Sequence, residues 1–214
     1  MQTRKPKPAP RSQTERRAET RRALLDAALE VMREVGYARV TFGAIAKHAG
    51  LTTGALQHHF DTKADLIHAV LVERLMPVME KGGLESQAGR PLRARCKTIV
   101  DLYWGSYGDP AYPVVWDIIL GAREDPELAA RIRRFQREGS ERSLHDVEAA
   151  FDGLPLGAAQ IRRVYLFITA QLRGLALLRP FESDESVFRG QRRLLVDMLC
   201  EYVEAMLAAR NQTA

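Results

Sequence analysis

The chain has 214 residues, 46% of them hydrophobic and 28% charged, which is ample for a packed core and excludes a disordered or fibrous chain. The formal net charge of +5 is unevenly placed: residues 1–63 hold 12 Lys/Arg against 6 Asp/Glu, whereas residues 64–214 hold 20 against 21. The most apolar run, Val164 to Leu178, is broken by Gln171 and Arg173 and is too short to cross a bilayer, so a cytoplasmic protein with no membrane contact is expected.

Residues 1–13 carry Arg4, Lys5, Lys7 and Arg11 among prolines 6, 8 and 10, with no acid. This is a flexible basic tail, either an arm that adds phosphate or minor-groove contacts or an inert extension. No apolar stretch follows it, so it is not a secretory signal. From about Glu15 to Val35, the residues Leu25, Ala28, Leu29, Met32 and Val35 recur at helical spacing, and Gly36 closes the element.

The stretch from Thr41 to Phe60 then reads as two short helices with a tight turn between them. Phe42, Ile45, Ala46 and Ala49 mark one face of the first, with Thr41 as its N-cap and Gly50 just past its end. Thr52 or Thr53 caps the second, which carries Ala55, Leu56 and His59 toward Phe60. Two helices of about two turns joined by a turn containing Gly form a helix-turn-helix. Thr62-Lys63-Ala64-Asp65 has capping-box spacing with Asp in the usual Glu position. It starts a further helix through Leu66, Ile67, Val70, Leu71 and Leu75, which should weaken near Pro77 and end by Gly82-Gly83. The surplus of positive charge falls on this part of the chain, which points to a polyanion partner.

At the N-terminal end of the second helix of the pair, Thr52, Thr53 and Gly54 are the candidate base-reading positions, with Gln57 and His58 one turn on. A threonine can hydrogen-bond a base edge or set its methyl against thymine, and a glycine permits close approach of the backbone. Thr41 and Lys63 stand at helix starts, where free amides favour a phosphate. His59 and Phe60 are expected to brace the helix. The order LLDAALEVM, GY, T-x-x-x-IA-x-x-AG, T-x-GAL, HHF and TK-x-DL between Leu24 and Leu66 resembles the DNA-binding domain of the TetR family of bacterial transcriptional regulators. That family usually has a tyrosine, commonly a phosphate contact, where this chain has Gln57, whose amide can serve a phosphate or an adenine edge.

After a loop over residues 82–90, the chain reads as helical to the end, so the expected fold is all-α. Pro91 opens a helix reaching Gly105 or Gly108, Val114 to Ala122 forms a short apolar one, and Asp125-Pro126 starts a long one to about Phe151 that Gly139 interrupts. The last two helices, one through Ile161 to Leu175 and one capped by Ser183 or Asp184, have apolar faces wide enough for a second partner. The resemblance implies that these two helices pair with their copies in a homodimer, and that a small-molecule effector binding between the central helices changes the separation of the DNA-binding units. Candidate effector contacts are Tyr103, Tyr107, Trp116, Phe167 and Gln171, with Gln171 and Arg173 as polar pointers within an apolar helix.

The predicted organisation is therefore a tail at 1–13, a helix-turn-helix DNA-binding domain at 14–62 and a helical effector-binding and dimerisation domain at 63–214. No enzyme motif, metal pattern or cofactor loop is found, and Cys96 and Cys200 read as reduced thiols. Two recognition helices about 34–36 Å apart read successive major-groove faces of a palindrome. The expected function is a transcriptional regulator, a repressor released from a palindromic operator of double-stranded DNA by a small ligand. The alternative is an architectural DNA-binding protein that needs no effector.

Overall fold

The structure is a computed structural model that describes residues 12–79 and 83–211. Arg4, Lys5, Lys7 and Arg11 of the tail lie outside the described residues, as does Gly82 at the expected end of the fourth helix. Every described regular element is helical, so the expected all-α class holds. No described helix is long and apolar enough to cross a membrane.

The chain divides into two compact units, one ending at Arg74 and one beginning at Leu75. In the first, α1 (Gln13–Val35) opens on a capping box in which Ser12 and Glu15 satisfy each other's backbone amides. Its buried stripe includes Leu24, Leu25, Ala28 and Met32, all fully enclosed. Against it pack α2 (Phe42–His48) and α4 (Lys63–Val70), with α3 (Thr53–Gln57) attached to α2. The sequence places the division after residue 62. It falls later because Ala64, Leu66, Ile67 and Val70 of α4 are buried and α4 packs against α1.

Beyond Val70 the helix widens into a π-turn over Leu71–Leu75 before a last turn, α5 (Met76–Met79). Pro77 explains the irregularity: it lacks an amide and its ring opposes the carbonyl one turn back, so the expected weakening begins ahead of the proline.

The second unit contains α6 (Leu92–Tyr107), α7 (Tyr112–Gly121), α8 (Pro126–Ala150), α9 (Ala158–Ala176) and α10 (Glu185–Asn211). Asp125 caps α8 by accepting from the Leu128 amide at 3.0 Å, as Asp125-Pro126 predicts. Gly139 does not interrupt α8, which runs unbroken through it. α6 packs against α8, α9 and α10 around Ile99, Val100, Ile168, Leu172, Phe188 and Leu199. Trp104 stacks on Phe188 at 5.8 Å between ring centroids. Cys96 and Cys200 are both buried and unbridged. Burial pushes the Cys96 thiol up, and the neighbouring Cys200 adds to the shift.

Two glycines of this unit have opposite predicted responses. A Cβ on Gly139 meets nothing within 4 Å, so Gly139→Ala raises stability by about 0.5–1 kcal/mol through helix propensity alone. A Cβ on Gly108 falls 2.6 Å from the Trp104 ring, so Gly108→Ala costs about 1–3 kcal/mol through overpacking. Denaturant unfolding of the two variants beside the wild type checks both signs.

Candidate nucleic-acid interface and ligand cavity

α3 is only five residues long and ends in a turn, since the amides of His59 and Phe60 both return to the Leu56 carbonyl. A helix this short has no independent stability. It is held by Leu56, which is fully enclosed, by Thr52, whose hydroxyl accepts from the Ala55 amide at 3.1 Å, and by Phe60, which is buried just beyond. Thr41 caps α2 in the same way, accepting from the Ala44 amide at 3.2 Å. Gly50 takes a positive φ of 67°, the left-handed geometry that turns the chain from α2 toward α3.

With its apolar side anchored, α3 leaves Thr52, Thr53, Gly54, Gln57 and His58 exposed together, and Thr41 is exposed at the start of α2. These residues make up most of the surface nominated from sequence. Lys63 is half-buried: its ammonium lies 3.4 Å from the Tyr37 carbonyl and 4.6 Å from the centre of the Tyr37 ring. His59 and Phe60 brace the turn, their rings 6.4 Å apart, with the Arg21 guanidinium 4.6 Å from the Phe60 centroid and ion-paired to Glu73. Partial burial, then Arg17 and Arg21, hold His59 below its ordinary range, so it is neutral at physiological pH.

The second unit holds a half-open cavity of about 730 Å³, within the range that holds small organic ligands. α6 supplies Tyr103, Ser106 and Tyr107; α7 supplies Tyr112, Val115, Trp116 and Ile119, spaced as one helical face. α8 adds Phe135, Gly139, Ser140 and Asp146, and α9 adds Tyr165 and Arg173. The rings form a chain, with Tyr107 to Tyr112 at 5.0 Å and Tyr112 edge-on to Trp116 at 6.4 Å. Two hydroxyls are already engaged: Tyr103 donates to the Ser143 carbonyl at 2.6 Å and Tyr165 to Ser140 at 3.1 Å. Burial pushes the Tyr103, Tyr107 and Tyr112 phenols upward, so all three stay protonated.

Tyr103, Tyr107 and Trp116 thus line the cavity as nominated from sequence, whereas Phe167 and Gln171 do not. Phe167 turns toward α10, its ring 5.9 Å from that of Tyr202, and Gln171 is exposed. Gln171 is two residues from Arg173, about 200° around the helix, so of these two polar pointers only one can face inward. The residues missed from sequence are Tyr112, Tyr165 and Asp146. Tyr165 and Arg173 are eight apart, hence on one face, and that spacing was a usable signal. Asp146 accepts from the Leu84 amide at 2.7 Å, and burial raises its pKa.

A capped helix-turn-helix joined to a larger helical unit with a ligand-sized cavity defines a DNA-binding regulator. The description "Bacterial regulatory proteins, tetR family" matches residues 24–70. An uncharacterized HTH-type transcriptional regulator of Mycobacterium tuberculosis is 34% identical over 147 residues, spanning 67% of this chain and 73% of the relative. The HTH-type transcriptional regulator CymR of Pseudomonas putida is 27% identical over 202 residues, covering 91% and 96% of the two chains. The fold matches a TetR transcription regulator from Haloarcula marismortui with a TM-score of 0.61 at 19% identity, covering 88% of this chain and 98% of that one. The chain belongs to the tetR family of bacterial regulatory proteins, which are DNA-binding transcriptional regulators and not enzymes.

The anchor and the exposed face of α3 separate in a mutational test. Leu56→Ala removes a fully enclosed side chain and costs about 2–5 kcal/mol, taking DNA binding down with folding. Gln57→Ala alters an exposed position and shifts stability by about 0.5 kcal/mol or less while weakening DNA binding. Thermal melts followed by circular dichroism, beside fluorescence anisotropy with labelled duplex, read the two effects independently.

Proposed function

We propose that this regulator is a homodimeric repressor that binds a palindromic operator and leaves it when a small molecule fills the cavity of the second unit. The observation that carries the DNA half of this reading is the α3 surface: Thr52, Thr53, Gly54, Gln57 and His58 share an exposed patch while Leu56 points inward. Thr52, Thr53 and Gly54 are assigned to the groove floor, with Gln57 and His58 reading a base edge or the flanking phosphate. Thr41 and Lys63 are assigned to phosphates. Lys63 carries a full positive charge and also donates to the Tyr37 carbonyl.

The dimer half rests on apolar surface left on the last two helices. Val187, Leu194 and Met198 fall on one face of α10 and are 36%, 51% and 46% exposed, while Leu166 of α9 is 52% exposed. A row of large aliphatic side chains in water favours a partner, and a second copy supplies a self-complementary one. Two copies also give the pair of recognition helices that a palindrome requires. The cavity, with Tyr103, Tyr107 and Trp116 among its walls, is where the ligand is assigned. A ligand with higher affinity for the conformation that does not hold DNA shifts the population toward it.

Sequencing the genomic fragments retained by the purified protein at moderate salt tests the operator. A shared inverted repeat is expected. Retention without a common sequence, weakening steeply with salt, would mark an architectural protein instead. In the same preparation, Leu194→Glu combined with Met198→Glu is expected to halve the mass seen by light scattering. Affinity for the selected repeat should fall at least about tenfold, and an unchanged mass would remove the proposed interface.

A further inference from the structure

Three buried or half-buried arginines of the second unit differ in what answers their charge. Arg95 is 5% exposed and donates to the Arg90 and Asp152 carbonyls, both at 2.8 Å. Arg179 pairs with Glu185 at 2.7 Å and lies over the Trp104 and Phe188 rings. Arg173 is different. Its neighbours are Tyr107, Tyr112 and Tyr165; its guanidinium lies against the Tyr107 hydroxyl, its central carbon 5.3 Å from the Tyr107 centroid; and its Nε–H, like that of Arg179, has no hydrogen-bond partner. Among the described residues no carboxylate pairs with it.

The tyrosines cannot supply the missing charge, because burial holds Tyr107 and Tyr112 as neutral phenols. Burial works against the Arg173 cation, the tyrosine oxygens around it work the other way, and the guanidinium stays charged without a counter-ion. Two carboxylates stand at the α8 wall of the cavity, Glu141 and Asp146; neither forms an ion pair with Arg173, and Asp146 takes the Leu84 amide at 2.7 Å. A second donor waits beside it: the Trp116 indole N–H lies by the Tyr112 hydroxyl but outside hydrogen-bonding geometry. A cation without a counter-ion in a partly desolvated site is costly to keep, and a buried donor without an acceptor adds to that cost.

We infer that the cavity is built for an aromatic carboxylate, whose anion is received by Arg173 and whose rings stack among Tyr107, Tyr112, Trp116 and Phe135. A carboxylate matches the guanidinium fork with two oxygens and brings the counter-charge that Arg173 itself lacks. An apolar ligand without an acid group would leave Arg173 unanswered. The inference rests on the cavity being the effector site, but it is tested on the protein without DNA.

The experiment is calorimetric titration of the full-length protein with three matched sets, built on benzene, naphthalene and biphenyl, each as carboxylate, primary amide and methylamine. In at least one set the carboxylate should bind ten or more times more tightly than its amide, with the amine weakest. Arg173→Gln should bring the carboxylate down to the amide's affinity and leave the amide unchanged. Without ligand, Arg173→Met should melt at or above the wild-type temperature, since it removes an uncompensated charge and keeps the apolar stem. Amides or amines equal to or better than carboxylates in every set, no carboxylate binding, a preference that survives Arg173→Gln, or a fall of several degrees in the Arg173→Met melt would each overturn it. Carboxylate binding that depends on Arg173 in a protein selecting no operator would uphold this inference and remove the repressor reading; an operator with no carboxylate preference would do the reverse.

Discussion

The first unit is organised around five residues, Thr53–Gln57, that cannot hold themselves in a helix. A segment the length of α3 does not repay the cost of its own nucleation, so its shape is borrowed from α1, α2 and α4. Leu56 is the point of attachment, fully enclosed, while Thr52 and Phe60 fix the two ends. The rest of the first unit follows from that need. α1 supplies a wide apolar floor through Leu24, Leu25 and Met32; Gly50 sets the turn; and the Thr62–Asp65 capping box starts α4 where the chain must turn back across α1. Each cap contributes only about 1 kcal/mol, yet each also decides where a helix begins and therefore which side chains α3 presents.

The second unit obeys a different constraint. Five helices of this length can close a continuous core, but here they stop short of one another around about 730 Å³. The walls are aromatic where a simple core would be aliphatic: Tyr103, Tyr107, Tyr112, Trp116 and Tyr165 all turn inward. Gly139 fits the same pattern, since it takes a helix position where alanine is intrinsically better and leaves the space beside it open. Helix propensity and packing are both set aside at the same wall, which is where local rules are expected to yield to a binding site.

Much of this was legible in the sequence wherever the signal is local. Local spacing names Thr41, Asp125 and the Thr62–Asp65 pair as caps and leaves Thr52 or Thr53 open for α3; the first three cap as expected, and Thr52 is the one that caps α3. Depth was harder to read than position. Phe167 is nominated as an aromatic and Gln171 as a polar insertion in an apolar stretch, and neither signal declares which face of α9 meets which neighbour. The assignment was settled by α10, which claims the Phe167 side through Tyr202, and by α6 and α7, which leave Arg173 the cavity side. The extent of the first unit was misjudged for a related reason: Pro77 is visible in sequence, but the packing of α4 against α1 is a long-range fact.

α9 therefore carries three different duties on one helix. Ile161, Val164, Ile168 and Leu172 are core, Tyr165 and Arg173 face the cavity, and Leu166 stands half out in water. A helix of this kind does not transmit anything merely by lying between two surfaces. A ligand can change DNA affinity only by the difference in its own affinity for the two conformations, and a hundredfold effect needs about 2.7 kcal/mol of such difference. An uncompensated arginine is a suitable source for a term of that size. The reward for supplying its counter-ion depends steeply on how far water is excluded around it, and a modest shift of α9 alters that exclusion directly. The feature that makes the empty site costly is thus the one best able to make the filled site discriminate between conformations.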